Sequence, residues 1–166
     1  MKTKINVKAF IYLLCFLLVG IVYSILMKGL IIYVGLKSNE IGGFKYQDLK
    51  QRAIISFFIA PLLNTIFFQY GVYEFVFFLK KSIQKRNKVL LDRNNNIYII
   101  IYYCLSTGLF AVSHNYSMYY IYLMIFPGFL LSYAFYYFEK NFLYPIFYVF
   151  LIQSLHNIFA FIIDNI

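Results

Sequence analysis

The sequence predicts an all-α membrane protein: a polytopic helix bundle of about five transmembrane helices, N-terminus in the cytoplasm and C-terminus outside. Three observations lead there. Of 166 residues, 63% are hydrophobic and 13% charged, whereas soluble domains run near 45–50% apolar and about 25% charged. The apolar residues form uninterrupted runs that meet the roughly 20 residues a bilayer core requires. The basic residues gather in particular loops, as they do on the cytoplasmic side of membrane proteins.

Lys2, Lys4 and Lys8 precede the run "AFIYLLCFLLVGIVYSILM". That run is longer than the apolar core of a signal peptide and reaches Lys28 without a small-residue cleavage site, so an uncleaved span over 5–27 is the better reading. "GLIIYVGL" (29–36) is too short to cross alone; it either extends the first helix or lies at the interface. The segment 37–52, "KSNEIGGFKYQDLKQR", is the only sizeable external loop. Further spans are expected at 53–79, 97–114, 118–138 and 142–163. The chain thus divides into an N-terminal helix plus external loop (1–52) and a four-helix membrane core (53–166).

Orientation follows from counting cations. An N-in arrangement places Lys2, Lys4, Lys8, Lys80, Lys81, Lys85, Arg86, Lys88, Arg93 and Lys140 in the cytoplasm, against Lys28, Lys37, Lys45, Lys50 and Arg52 outside. The strongest signal is the loop "KKSIQKRNKVLLDRNNN". The net charge of +9 then reflects cytoplasmic loops beside anionic lipid rather than nucleic acid. The partners implied are the bilayer and a membrane-protein or peptide partner, with no nucleic acid. Cys15 and Cys104 lie within apolar segments, which argues against a disulfide framework or a thiolate metal site. Abundant Ile, Phe, Tyr, Lys and Asn match AT-rich codons and point to a multi-pass protein of a bacterial cytoplasmic membrane.

Polar side chains inside spans face the bundle interior. The informative ones are Asn64, Thr65, Gln69, Glu74, His114, Gln153, His156 and Asn157. Thr65 and Gln69 are four apart, as are Gln153 and Asn157, so each pair shares a helix face. Counted at 1.5 Å per residue from the cytoplasmic end of each span, Asn64, His156 and Asn157 rise about 21–22 Å and His114 about 26 Å. Two histidines and two asparagines would then share one level. Glu74, only about 8 Å up, falls near Lys80, Lys81 and Lys140. Interhelical hydrogen bonding worth of order 1 kcal/mol each accounts for such residues. A polar pocket for a metal, water or peptide is the alternative, although two imidazoles without a third ligand and a carboxylate base do not make a hydrolytic centre.

Three stretches together resemble the CPBP family, the CAAX protease and bacteriocin-processing membrane proteins also called Abi, over roughly 53–163. "APLLNTIFFQYG" (60–71) resembles the family's A-P-x-x-E-E-x-x-F-R-G: Ala60, Pro61 and Phe68 match, and Gly71 is displaced by one. Asn64 and Thr65 stand where the glutamate pair belongs, and Gln69 stands for the arginine. "LFAVSH" supplies the family's phenylalanine and histidine four apart, Phe110 and His114. The stretch 126–146, with Gly128 and Pro145, resembles the next helix and turn. The final H-x-x-x-N falls either on Val149 and Gln153 or on Gln153 and Asn157, with depth favouring the second; His156 adjoins it.

The resemblance implies a helical core in which family members hold a metal and activate water for peptide cleavage. Asparagine and threonine cannot take a proton from water as glutamate can, so the implied protein is catalytically degenerate and acts by binding. Bacteriocin self-immunity, or a scaffold for another membrane protein, is the expected role. An active intramembrane metalloprotease, with zinc or another divalent metal on His114 and His156, is one alternative. A subunit of a transport or secretion complex is the other. Only the metalloprotease would need a cofactor.

Overall fold

A computed structural model describes residues 7–41, 46–86, 95–142 and 144–164. Among these all regular structure is helical, and five helices are long and apolar enough to cross a membrane. The bundle predicted from composition is the fold observed.

Helix α1 (Val7–Val34) takes in most of the "GLIIYVGL" stretch, so that segment extends the first helix rather than lying apart from it. It stops at Gly35, whose φ of 75° suits a residue without a β-carbon. Gly35 N–H donates to Ile32 O and Leu36 N–H to Ile31 O, the paired bonds of a Schellman cap. The short α2 (Ser38–Ile41) follows.

The second span begins earlier than predicted because Asp48 caps it. Asp48 Oδ1 accepts from Gln51 N–H at 2.6 Å, and Gln51 Oε1 accepts from Gln47 N–H at 2.6 Å, a variant of the reciprocal capping box. From there one continuous helix runs through α3 (Leu49–Ile54), a π-helical segment π1 (Ile55–Ile59), α4 (Ala60–Asn64), a second π segment π2 (Thr65–Gly71) and α5 (Val72–Arg86). Pro61 supplies no N–H to the turn before it. The chain absorbs this with wider winding, Ala60 N–H reaching back to Ile55 O. At roughly 55 Å, this helix far exceeds a hydrocarbon core of about 30 Å.

Helices α6 (Asn95–Ser113), α7 (Met118–Asn141) and α8 (Pro145–Asp164) complete the bundle. Ser117 caps α7 through Tyr120 N–H at 3.1 Å. Helix α7 is the hub, packing on α6, α8 and α1. Its buried residues Leu131, Ala134, Phe135 and Phe138 form one core with Leu13, Val76, Tyr102, Phe110 and Val149. Large apolar side chains such as Leu26, Phe67 and Phe78 point outward, the arrangement that hydrocarbon solvent permits.

Pro127 lies inside α7 and cannot donate to Leu123 O. That carbonyl is not wasted: Tyr23 OH, on α1, donates to it at 2.8 Å, and the Tyr23 ring stacks on Phe126 with centroids 4.4 Å apart. The helix-breaking residue thereby creates the docking point for α1. Tyr23→Phe would keep the ring and orphan the carbonyl, at a cost of about 1–3 kcal/mol. Faster protease access to α1 in detergent, with the rest of the bundle still protected, is the expected readout.

Candidate functional site

The polar interior divides into three places. The first is π2. Its winding turns Thr65 and Gln69 wholly inward, each 0% exposed. Thr65 Oγ1 and both Gln69 amide atoms have no hydrogen-bond partner among the described residues. Within the same segment the Phe68 carbonyl is engaged: Ser106 Oγ on α6 donates to Phe68 O at 2.7 Å, Ser132 Oγ on α7 donates to Gly128 O at 2.7 Å, and the two hydroxyls lie 2.6 Å apart. Two protons thus serve three short contacts. With Tyr102 OH donating to Ser132 O at 3.2 Å, this polar staple binds π2, α6 and α7 together.

The second place is the C-terminal half of α8. His156 Nε2 meets Ser24 Oγ on α1 at 2.8 Å, and Asn157 Nδ2 donates to Ser56 O in π1 at 2.7 Å. Tyr46 OH bonds Ser56 Oγ at 2.9 Å. Gln153 and Ser154 are buried, with Gln153 Oε1 and Ser154 Oγ unpartnered among the described residues.

The third place is the end of α6. His114 follows its last residue, and Nδ1–H donates to Phe110 O at 2.7 Å. The imidazole touches Phe110 at 4.6 Å and stacks with Tyr120 at 6.2 Å, and Tyr116 lies edge-on at 6.5 Å. Burial disfavours the imidazolium and lowers the His114 pKa, against a smaller raising effect of the Phe110 carbonyl. With the folded pKa below the usual 6.5, the unfolded chain binds the proton first as pH falls. The His114 contribution to stability is complete above pH ~6.5 and is lost below it. Less acid-induced melting in His114→Asn than in the native chain, between about pH 7 and 5, would show this. An identical acid loss would refute it.

The structure corrects the expected common level. Asn157 pairs with Ser56, eight residues before Asn64 along the second span, which is about 12 Å nearer that span's N-terminal end. Arg52 lies over the Phe161 ring at 5.1 Å, in the same antiparallel register. One residue forward along α8 answers one residue back along the second span, so Asn64 lies at about the height of Val149 rather than of Asn157. Asn157 therefore does not share the level of Asn64, and the reason for preferring the Gln153–Asn157 register is gone. The count failed because helix ends do not coincide. Helix α8 starts beside the middle of the second span, where Pro145 and Leu62 line one groove, and the second span runs on to Arg86.

His114 and His156 are held by different elements, one among tyrosines and one against α1. Among the described residues, no three His, Cys, Asp or Glu side chains gather as metal ligands. Glu74 is exposed on α5. Asn64 is half-buried, and no hydrogen bond reaches its amide among the described residues. Sequence reasoning missed Tyr23, Ser24, Ser56, Ser106 and Ser132. Their only advance signal is a small or hydroxyl-bearing side chain within an apolar run. Comparison with known proteins finds no matching family model, no matching curated protein and no matching solved structure.

Proposed function

We propose that this chain is a catalytically silent, CPBP-like protein of a bacterial cytoplasmic membrane. It works by binding a membrane-embedded peptide or protein, either as bacteriocin self-immunity or as a scaffold. The observation that carries this reading is Asn64. Thr65, Gln69 and Gln153 are enclosed in the bundle, and Asn157 is occupied by Ser56. Asn64 is half-buried with an unpaired amide, next to exposed Leu63 and one turn from exposed Phe67, at the edge where the bundle meets lipid. A carboxamide facing hydrocarbon is costly until a polar group on another helix meets it. An amide in that setting binds; it does not remove a proton from water.

The test is recovery of partners from native membranes. A membrane protein or short peptide should co-purify with the chain, and Asn64→Leu should cut its recovery about tenfold, the equivalent of one interhelical hydrogen bond of about 1–2 kcal/mol. The same substitution should leave the melting temperature unchanged. Sensitivity to a bacteriocin, gained on deleting the gene and relieved by the native chain but not by Asn64→Leu, would identify the immunity role. Absence of any partner, or recovery indifferent to Asn64→Leu, would remove the proposal.

A further inference from the structure

We infer that π2 encloses an internal water site built by Thr65 and Gln69. Both side chains are completely buried, and they place one hydroxyl, one amide carbonyl and one amide NH2 inside the bundle without a protein partner among the described residues. The hydroxyl staple does not relieve them: Ser106 and Ser132 donate to Phe68 O and Gly128 O, and neither hydroxyl is bonded to Thr65 or Gln69. The chemistry of the set selects its ligand. A cation would satisfy the two oxygens and leave the Gln69 N–H groups bare. An anion would satisfy the N–H groups and oppose the carbonyl. Water both donates and accepts, and a buried water needs two to four polar partners; Thr65 and Gln69, four apart on one helix, offer a hydroxyl, a carbonyl and an NH2 of matching kinds.

The backbone agrees with this placement. Thr65–Gly71 is wound as a π-helix, a rare geometry that recurs where a helix makes room for a functional group. Here the π winding begins at Thr65 and includes Gln69, so the wide turn and the unpaired groups are one feature. This site is independent of the partner surface at Asn64, since it lies inside the bundle.

Replacing the polar groups with apolar ones of similar shape distinguishes a hydrated site from a dry one. If Thr65 and Gln69 share water, Thr65→Val and Gln69→Met each strand the remaining groups. Each then lowers the melting temperature by roughly 2–4 °C, and the double variant loses less than the sum. If the site is dry, the same substitutions remove unpaired buried groups and raise the melting temperature. A second measurement uses the native sequence in detergent micelles. The Gln69 side-chain amide should show a magnetisation-transfer peak to water with the sign of a long-lived bound molecule. An unchanged or raised melting temperature, or a Gln69 amide without contact to water, overturns the inference.

Discussion

Gly128→Val is expected to lower the melting temperature by roughly 6–12 °C, the equivalent of about 3 kcal/mol in a chain of this size. A β-carbon at residue 128 would sit 2.9 Å from Phe110 Cδ1 and 3.2 Å from Thr107 O. The second neighbour is backbone and cannot step aside without moving α6. The first is a ring only 2% exposed, set edge-on against Phe68 and beside His114. Alanine would recover about 1 kcal/mol of helix propensity, which partly offsets the overpacking penalty of about 1–3 kcal/mol. Valine adds two further methyl groups to a gap that does not admit one. Gly128→Ala should therefore fall between the native chain and Gly128→Val. A valine variant melting within about 1 kcal/mol, or 2–4 °C, of the native protein would show that α6 and α7 can separate without cost.

Phe135→Ala is expected to cost about 3 kcal/mol, near the lower end of large-to-small core substitutions. Phe135 is 0% exposed in α7, with Tyr73 at 5.6 Å and Tyr70 at 6.3 Å between ring centroids. It joins the second span to the hub helix. In a bilayer the interior is no more apolar than the surrounding lipid, so transfer contributes little and lost dispersion contacts dominate. The expected order is alanine worst and leucine at less than half that cost, because leucine refills most of the volume. Equal losses for alanine and leucine would mean that ring geometry, rather than filled space, is what matters at this position.

Legibility differed by residue. The five spans could be read because about 20 consecutive apolar residues have few other uses, and among the described residues each predicted span overlaps one long helix. Boundaries moved where local chemistry intervened. Asp48 with Gln51 started the second span early, Gly35 ended α1 late, and Pro145 set the start of α8. The polar residues of the candidate site could be named in advance, since Asn, Gln, His and Thr stand out in an apolar run. Their pairings could not. Nothing in spacing tells Asn157 to choose Ser56 or His156 to choose Ser24, because those choices depend on how far one helix slides along another.

What the sequence determines by itself is therefore the class of solvent and the class of structure. A chain with this apolar content must satisfy its backbone within each segment, and helices are the way its uninterrupted runs can do so. The tertiary structure alone decides the register of α8 against the second span, the enclosure of Thr65 and Gln69, and the half-burial of Asn64 without a partner. Periodicity fixes which residues share a face of one helix. Which face meets which neighbour, and at what height, follows from small contacts such as Gly128 against Thr107 and Tyr23 on the carbonyl freed by Pro127. Those contacts join residues 21 and 100 positions apart, and a one-dimensional pattern carries no record of them.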